Sequence, residues 1–281
     1  MAKARVNGIE IAYEEFGSGV PLVLAHGYLA RRQMWDAQVG PFSERYRLIV
    51  YDVRGHGESE APPVDDAGYT IETLVEDQRA LMEHLGIEEG YVGGLSLGGM
   101  IAMRFALTHP RMVRALLLCD TSPGMGTEGL WAKNRALMEG LVRSQGVAAL
   151  VRGFYAQRTV PAGVSNEQLG SNPGVQSFVE GLTAISPDGF LGVAKAAGEA
   201  TSVLERLPEI AAPTLILTGE QDFFRSASEE MALRMPGARF VLLGNAAHGT
   251  CVWRPRAFAS AVLDFLSDVE AGQPVAGRDE R

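Results

Sequence analysis

The sequence predicts an α/β fold: a mostly parallel central sheet of about eight strands, helices on both faces, and an inserted helical cap. Three observations carry that expectation. Short uninterrupted apolar runs, such as Leu22-Val23-Leu24-Ala25, Leu48-Ile49-Val50-Tyr51 and Thr214 to Thr218, have the length and continuity of strands buried on both faces. Segments with helical spacing separate them, and regular strand–helix alternation implies parallel pairing. The alternation lapses from about Pro123 to Leu204 and resumes at Pro213, as an insertion would make it do.

In chain order, residues 4 to 16 alternate about Asn7-Gly8, a hairpin signal and hence an antiparallel edge. Pro21 opens the first buried strand, which ends in His26-Gly27-Tyr28. Met34 to Phe42 reads as a short helix, and the next strand ends in Asp52-Val53-Arg54-Gly55-His56-Gly57-Glu58-Ser59. Thr70, with Thr73 and Glu76, starts a helix carrying Ile71, Leu74, Val75, Leu81, Met82 and Leu85, closed by Gly86. An apolar run from Tyr91 ends in Gly94-Leu95-Ser96-Leu97-Gly98, and the helix that follows is stopped by Pro110. Val113 to Cys119 forms a strand that ends at Asp120. Helical segments are expected at Leu130 to Leu141, Gly146 to Phe154 and Gln176 to Ile185, broken by Pro161, Pro173 and Pro187. After the strand that runs into Gly219-Glu220-Gln221-Asp222 come a helix from Ser226 to Met235, a strand from Arg239 to Leu243, a loop containing His248 and a helix from Pro255 to Leu266. The expected organisation is a core domain of residues 1–122 and 205–269, a helical cap or lid of residues 123–204, and a frayed, disordered tail of residues 270–281.

Composition narrows the function classes. At 281 residues the chain can hold one large core with a lid, and 46% hydrophobic with 21% charged residues is ordinary for a globular protein. No apolar run approaches the roughly 20 residues needed to span a bilayer. The first residues lack the apolar core of a signal peptide, so a cytoplasmic protein is expected. A net charge of -9 argues against a nucleic-acid partner. Cys119 and Cys251 show no ligand spacing and read as buried, reduced thiols.

The chemistry centres on Ser96. A strand that reverses directly into a helix pushes the residue at its apex into strained geometry, and glycines two before and two after it relieve the crowding. The helix then aims its free N–H groups at the space above the serine, where an oxyanion would form. A serine hydroxyl is a weak nucleophile and needs a base held by a carboxylate. Of the five histidines, His84 and His109 read as structural, and His26 and His56 sit in glycine-flanked turns that suggest backbone organisation. His248, in a small-residue loop after the last expected core strand, is the candidate base. Two acids lie just past strands, Asp120 and Asp222; both follow Ser96, so chain order does not separate them, and the Gly219–Asp222 turn favours Asp222.

Together, His26-Gly27, Asp52-x-Arg54-Gly55-x-Gly57-x-Ser59, Gly94-x-Ser96-x-Gly98-Gly99, Gly219-x-x-Asp222 and His248-Gly249 resemble the α/β-hydrolase superfamily, over about residues 5 to 268. The resemblance implies a catalytic triad of Ser96, Asp222 and His248, with an oxyanion hole formed by the backbone N–H groups of Tyr28 and Leu97. It implies no metal or organic cofactor. Epoxide and carbon–halogen hydrolases of this kind carry aspartate at the elbow, so Ser96 points to acyl transfer to water. The expected activity is hydrolysis of small to medium carboxylic esters or lactones through an acyl-enzyme. Within the superfamily the chain looks most like 3-oxoadipate enol-lactonases and related small esterases. The alternatives are a carbon–carbon bond hydrolase of vinylogous diketones and a ligand receptor on the same scaffold with slow hydrolysis. Trp131, Phe154, Tyr155 and Phe223 are the candidate substrate pocket.

Overall fold

The computed structural model describes residues 1–64, 68–124, 130–148, 162, 165, 170–172, 174–176 and 185–281, with the side chains of 130–135 outside that description. Strands β1 (Ala2–Val6) and β2 (Ile9–Phe16) form the expected hairpin. Asn7 and Gly8 sit at φ 45° and 82°, the pair of positive values that lets a two-residue turn follow the twist of its strands. The remaining strands are β3 (Val20–Ala25), β4 (Tyr46–Tyr51), β5 (Gly90–Leu95), β6 (Val113–Cys119), β7 (Thr214–Gly219), β8 (Arg239–Leu243) and β9 (Gly277–Glu280). They lie side by side in the order β1-β2-β4-β3-β5-β6-β7-β8-β9. The β1–β2 and β2–β4 pairs are antiparallel and all the others parallel.

The ninth strand corrects the expectation for the tail. Residues 277–280 pair with β8 in parallel, Gly244 N–H donates to Arg281 O at 2.7 Å and Arg281 N–H donates to Leu242 O at 2.9 Å. Arg281 also bonds Asp264, and the Arg278 guanidinium lies 4.8 Å from the Phe240 ring centroid. An otherwise open sheet edge is thereby covered by a strand held through main chain and charge, not through apolar burial.

The helices are α1 (Asp36–Ser43), α2 (Ile71–His84), α3 (Leu97–Thr108), α4 (Leu130–Gln145), α5 (Pro187–Glu199), α6 (Arg225–Arg234), α7 (Thr250–Trp253) and α8 (Pro255–Glu270). Thr70 caps α2 by accepting the Thr73 N–H at 3.0 Å, as its spacing predicts. Alternate strand residues serve opposite layers. Leu22 and Leu24 pack with Phe42 of α1 and Phe258, Val262 and Phe265 of α8, while Val23 and Ala25 pack with Leu74 of α2, Ile101 and Phe105 of α3, and Met231 of α6. Both faces are covered, which is why the strands read as continuous apolar runs. Among the described residues no helix is long and apolar enough to cross a membrane.

The segment between β6 and β7 carries α4 and α5. The expected helices from Gly146 and from Gln176 fall largely outside the described residues. Pro187 does not break a helix here but opens one: it occupies the first turn of α5 behind Ser186, whose hydroxyl accepts the Gly189 N–H at 3.0 Å. The two ends of the segment meet, with Val203 N–H donating to Pro123 O at 3.0 Å. Arg104 of α3 reaches under both, donating to Pro123 O at 3.3 Å and to Thr201 O.

Candidate active site

Parallel strands deliver their polar termini to one edge of the sheet. Ser96 follows β5, Asp120 follows β6, Asp222 lies three residues past β7 and His248 five past β8, and these four strands are adjacent. Residues remote in the chain are neighbours at that edge because the strands run the same way.

Ser96 holds φ 58° and ψ −111°, a conformation a non-glycine residue adopts at a cost of roughly 1–3 kcal/mol. The surroundings enforce it. Ser96 N–H donates to Cys119 O at 2.9 Å, and Ser96 O accepts from Met100 N–H at 3.1 Å and from the Thr121 hydroxyl at 2.6 Å. A Cβ on Gly94 would stand 2.5 Å from the Gly98 carbonyl carbon, and one on Gly98 would strike the Ala25 carbonyl. The strand-to-helix reversal therefore admits no side chain at either position. Helix α3 starts at Leu97, directly after the serine, so its first N–H groups have no intrahelical acceptor.

Asp222 and His248 are brought together. His248 Nδ1 lies 3.1 Å from Asp222 Oδ1, and the same oxygen accepts the Phe224 N–H at 2.8 Å. Bonding Nδ1–H to the carboxylate leaves Nε2 unprotonated, the tautomer a general base requires. Burial pushes the Asp222 carboxyl up, but the hydrogen bond and charge of His248, with further bonds from Asp120 and Phe224, bring it below the usual carboxylate range. The Phe223 ring stacks on the imidazole at 4.3 Å between centroids, and Phe224 meets it edge-on at 5.7 Å. Trp253 Nε1–H donates to the His248 carbonyl at 3.1 Å.

The loop after β3 lies against the elbow: a Cβ on Gly27 would stand 3.4 Å from Ser96 Cβ. Two buried imidazoles hold that loop. His26 Nε2 accepts the Val53 N–H at 2.9 Å, and His56 Nε2 accepts the N–H of Leu29 at 3.2 Å, a residue strained at φ 68°. Each therefore carries its proton on Nδ1, facing a backbone carbonyl, Gly27 O and Arg54 O respectively. Burial lowers His26 to about 4; burial, followed by the neighbouring His26, lowers His56 to about 3. Their geometry is that of backbone organisers. Tyr28 is fixed from the other side by its hydroxyl, which donates to Phe190 O of α5 at 3.0 Å. The Asp52-to-Ser59 motif is likewise architectural. Asp52 accepts from Arg32 and from Glu58 N–H, and Arg54 pairs doubly with Asp77 at 2.8 and 2.7 Å.

Of the expected pocket residues, Phe223 is 48% exposed at the site's rim. The Trp131 side chain, Phe154 and Tyr155 lie outside the described residues. Cys119 and Cys251 are free and buried, and burial pushes both thiols well up. Asp120 proves to be fully buried beside Asp222, in a role that the search for a single acid left undefined.

A mostly parallel sheet with a strained serine between strand and helix, and an acid and a histidine at neighbouring strand ends, defines a class. Residues 20–255 match the alpha/beta hydrolase fold, and the chain belongs to that family. It is 26% identical to 3-oxoadipate enol-lactonase 2 of Acinetobacter baylyi, over 90% of this chain and 92% of that one. It is 27% identical to a non-heme haloperoxidase of Rhodococcus erythropolis, over 92% of this chain and 97% of that one. The solved structure of a thermophilic esterase from Thermogutta terrifontis matches with a TM-score of 0.85 at 28% identity, covering 96% of this chain and 99% of that one.

Proposed function

We propose that this protein is a serine hydrolase of small to medium carboxylic esters or lactones. The observation that carries the reading is the Asp222–His248 hydrogen bond, formed at the same sheet edge as an elbow serine held at φ 58°. Relatives that include an enol-lactonase and an esterase support the substrate class.

In this mechanism Ser96 Oγ attacks the acyl carbonyl while His248 Nε2 takes its proton. The ionised Asp222 stabilises the imidazolium so formed. Negative charge develops on the carbonyl oxygen, which the N–H groups of Leu97 and Tyr28 receive; losing one such donor typically costs about 10² to 10³ in rate. The tetrahedral adduct collapses, His248 returns its proton to the departing alkoxide, and the acyl group stays on Ser96. Water, deprotonated by His248, then attacks the acyl-enzyme and releases the acid. A lactone follows the same steps, its alcohol remaining tethered to the acyl group. Residues 123–204 act as a cap over this edge, with Phe223 part of the apolar wall.

The test is hydrolysis of p-nitrophenyl acetate and butyrate at neutral pH, together with labelling by a fluorophosphonate. Turnover and labelling are expected for the native chain, with loss of both in Ser96→Ala. A Ser96→Ala variant that still labels removes the serine from its role.

A further inference from the structure

Asp120 has no part in the proton transfers above, yet four donors converge on its carboxyl. Oδ1 accepts the Gly219 N–H at 3.1 Å, where the acid loop begins. Oδ2 accepts the Gly249 N–H at 3.1 Å and both the N–H and the hydroxyl of Thr250 at 2.7 Å, in the two residues directly after His248. One fully buried side chain thus reaches the acid loop and the base loop together. It stands one peptide from the carbonyl of Cys119 that holds the Ser96 N–H. Its own backbone sits at φ 45°, in the region that favours glycine, so the chain accepts strain to aim this carboxyl.

The titratable groups that face it are Asp222 from the loop after β7, Cys119 beside it and Cys251 in α7. The Asp120 and Asp222 carboxyls are neighbours, and two carboxyls this close cannot both ionise cheaply in a buried site. Burial and then the Asp222 charge push Asp120 well above the usual carboxylate range, whereas His248 helps hold Asp222 below it.

We propose that Asp120 is a positioning residue for the acid–base pair: its buried carboxyl ties the residues directly after His248 to the start of the Asp222 loop and so fixes how the two partners meet. The proposal rests on the assigned roles of Ser96, Asp222 and His248.

Three variants of the full chain test it by p-nitrophenyl ester kinetics and fluorophosphonate labelling. Because Asp120 touches loops and not substrate, Asp120→Ala is expected to lower kcat by about 100-fold with KM changed less than about 2-fold. Asp120→Asn keeps the shape of the side chain and an oxygen for Gly249 and Thr250, so it should recover to within about 5-fold of the native rate. Thr250→Val deletes one donor and leaves the carboxyl, and should cost about 3- to 10-fold in kcat. An Asp120→Ala enzyme within about 2-fold of native kcat, or an Asp120→Asn enzyme as slow as Asp120→Ala, would overturn the proposal. If Asp120→Ala fails to fold by circular dichroism, Thr250→Val decides, and native kcat there would overturn it equally. A Ser96→Ala variant with native turnover sinks the underlying mechanism instead, and is read independently of Asp120.

Discussion

His248 is held by a polar contact through Asp222 and by aromatic contacts, of which Phe223 stacks on the ring and Phe224 meets its edge. The Asp222 and Phe223 contacts separate experimentally. Asp222→Asn keeps the shape but exchanges a pure acceptor for an amide able to donate, which favours the wrong imidazole tautomer. A fall in kcat of about 10² to 10⁴ is expected, measured on p-nitrophenyl butyrate. Phe223→Leu keeps apolar bulk and removes the ring face that favours an imidazolium. A stacked cation on an exposed ring gains about 0.5–1 kcal/mol, so kcat/KM should drop about 2- to 5-fold. An unchanged kcat/KM would show that Phe223 only fills space. Ser96 and its flanking glycines were legible as residues because their spacing is a local consequence of one tight reversal. The choice between Asp120 and Asp222 was less so. Both follow a strand by a few residues, and only β6 and β7 lying side by side reveals that one carboxyl meets His248 while the other meets Asp222 and the backbone after the histidine.

Elements are legible through apolar periodicity, so one that buries few apolar side chains leaves little signal. Strand β7 is buried at every position and stood out. Strand β9 is mostly exposed, polar and held by main-chain bonds, so nothing in its composition announced it. Removing residues 275–281 should uncover the β8 edge and lower Tm by about 3–8 °C, as loss of about 1–2 kcal/mol does in a chain of this size, with p-nitrophenyl ester turnover at 25 °C retained. Helix α5 was missed for a different reason: proline read as punctuation, whereas Ser186-Pro187 is a capped first turn. The elbow tolerates less. Gly98→Ala would drive a methyl group into the Ala25 carbonyl, a rigid backbone atom, and should destabilise the fold by about 1–3 kcal/mol with loss of fluorophosphonate labelling.

Across the whole molecule, the buried imidazoles set the acid limit of stability. His26 and His56 are neutral in the fold, about 4 and about 3 against 6.5 when exposed, so the unfolded chain binds protons the folded one refuses. Their stabilising contribution is complete above about pH 6.5 and is lost progressively as the pH falls toward 4 and below. Protonation also removes the acceptors for Val53 and Leu29 N–H. Tm measured from pH 7.5 to 4 should therefore decline steadily, and substituting Asn at both positions should flatten that decline over the same window. A native chain with a level Tm down to pH 4 would exclude the two histidines as its cause.

Arg104 and the bond from Val203 to Pro123 bring the chain back, after the long excursion between β6 and β7, to the point from which it left. The parallel pairing of β6 with β7 is thus not pulled apart by the length of chain between them. A connection that leaves and returns at one place can change in length and sequence with little strain on the two strands it joins, so variation there leaves the register of β6 and β7 undisturbed.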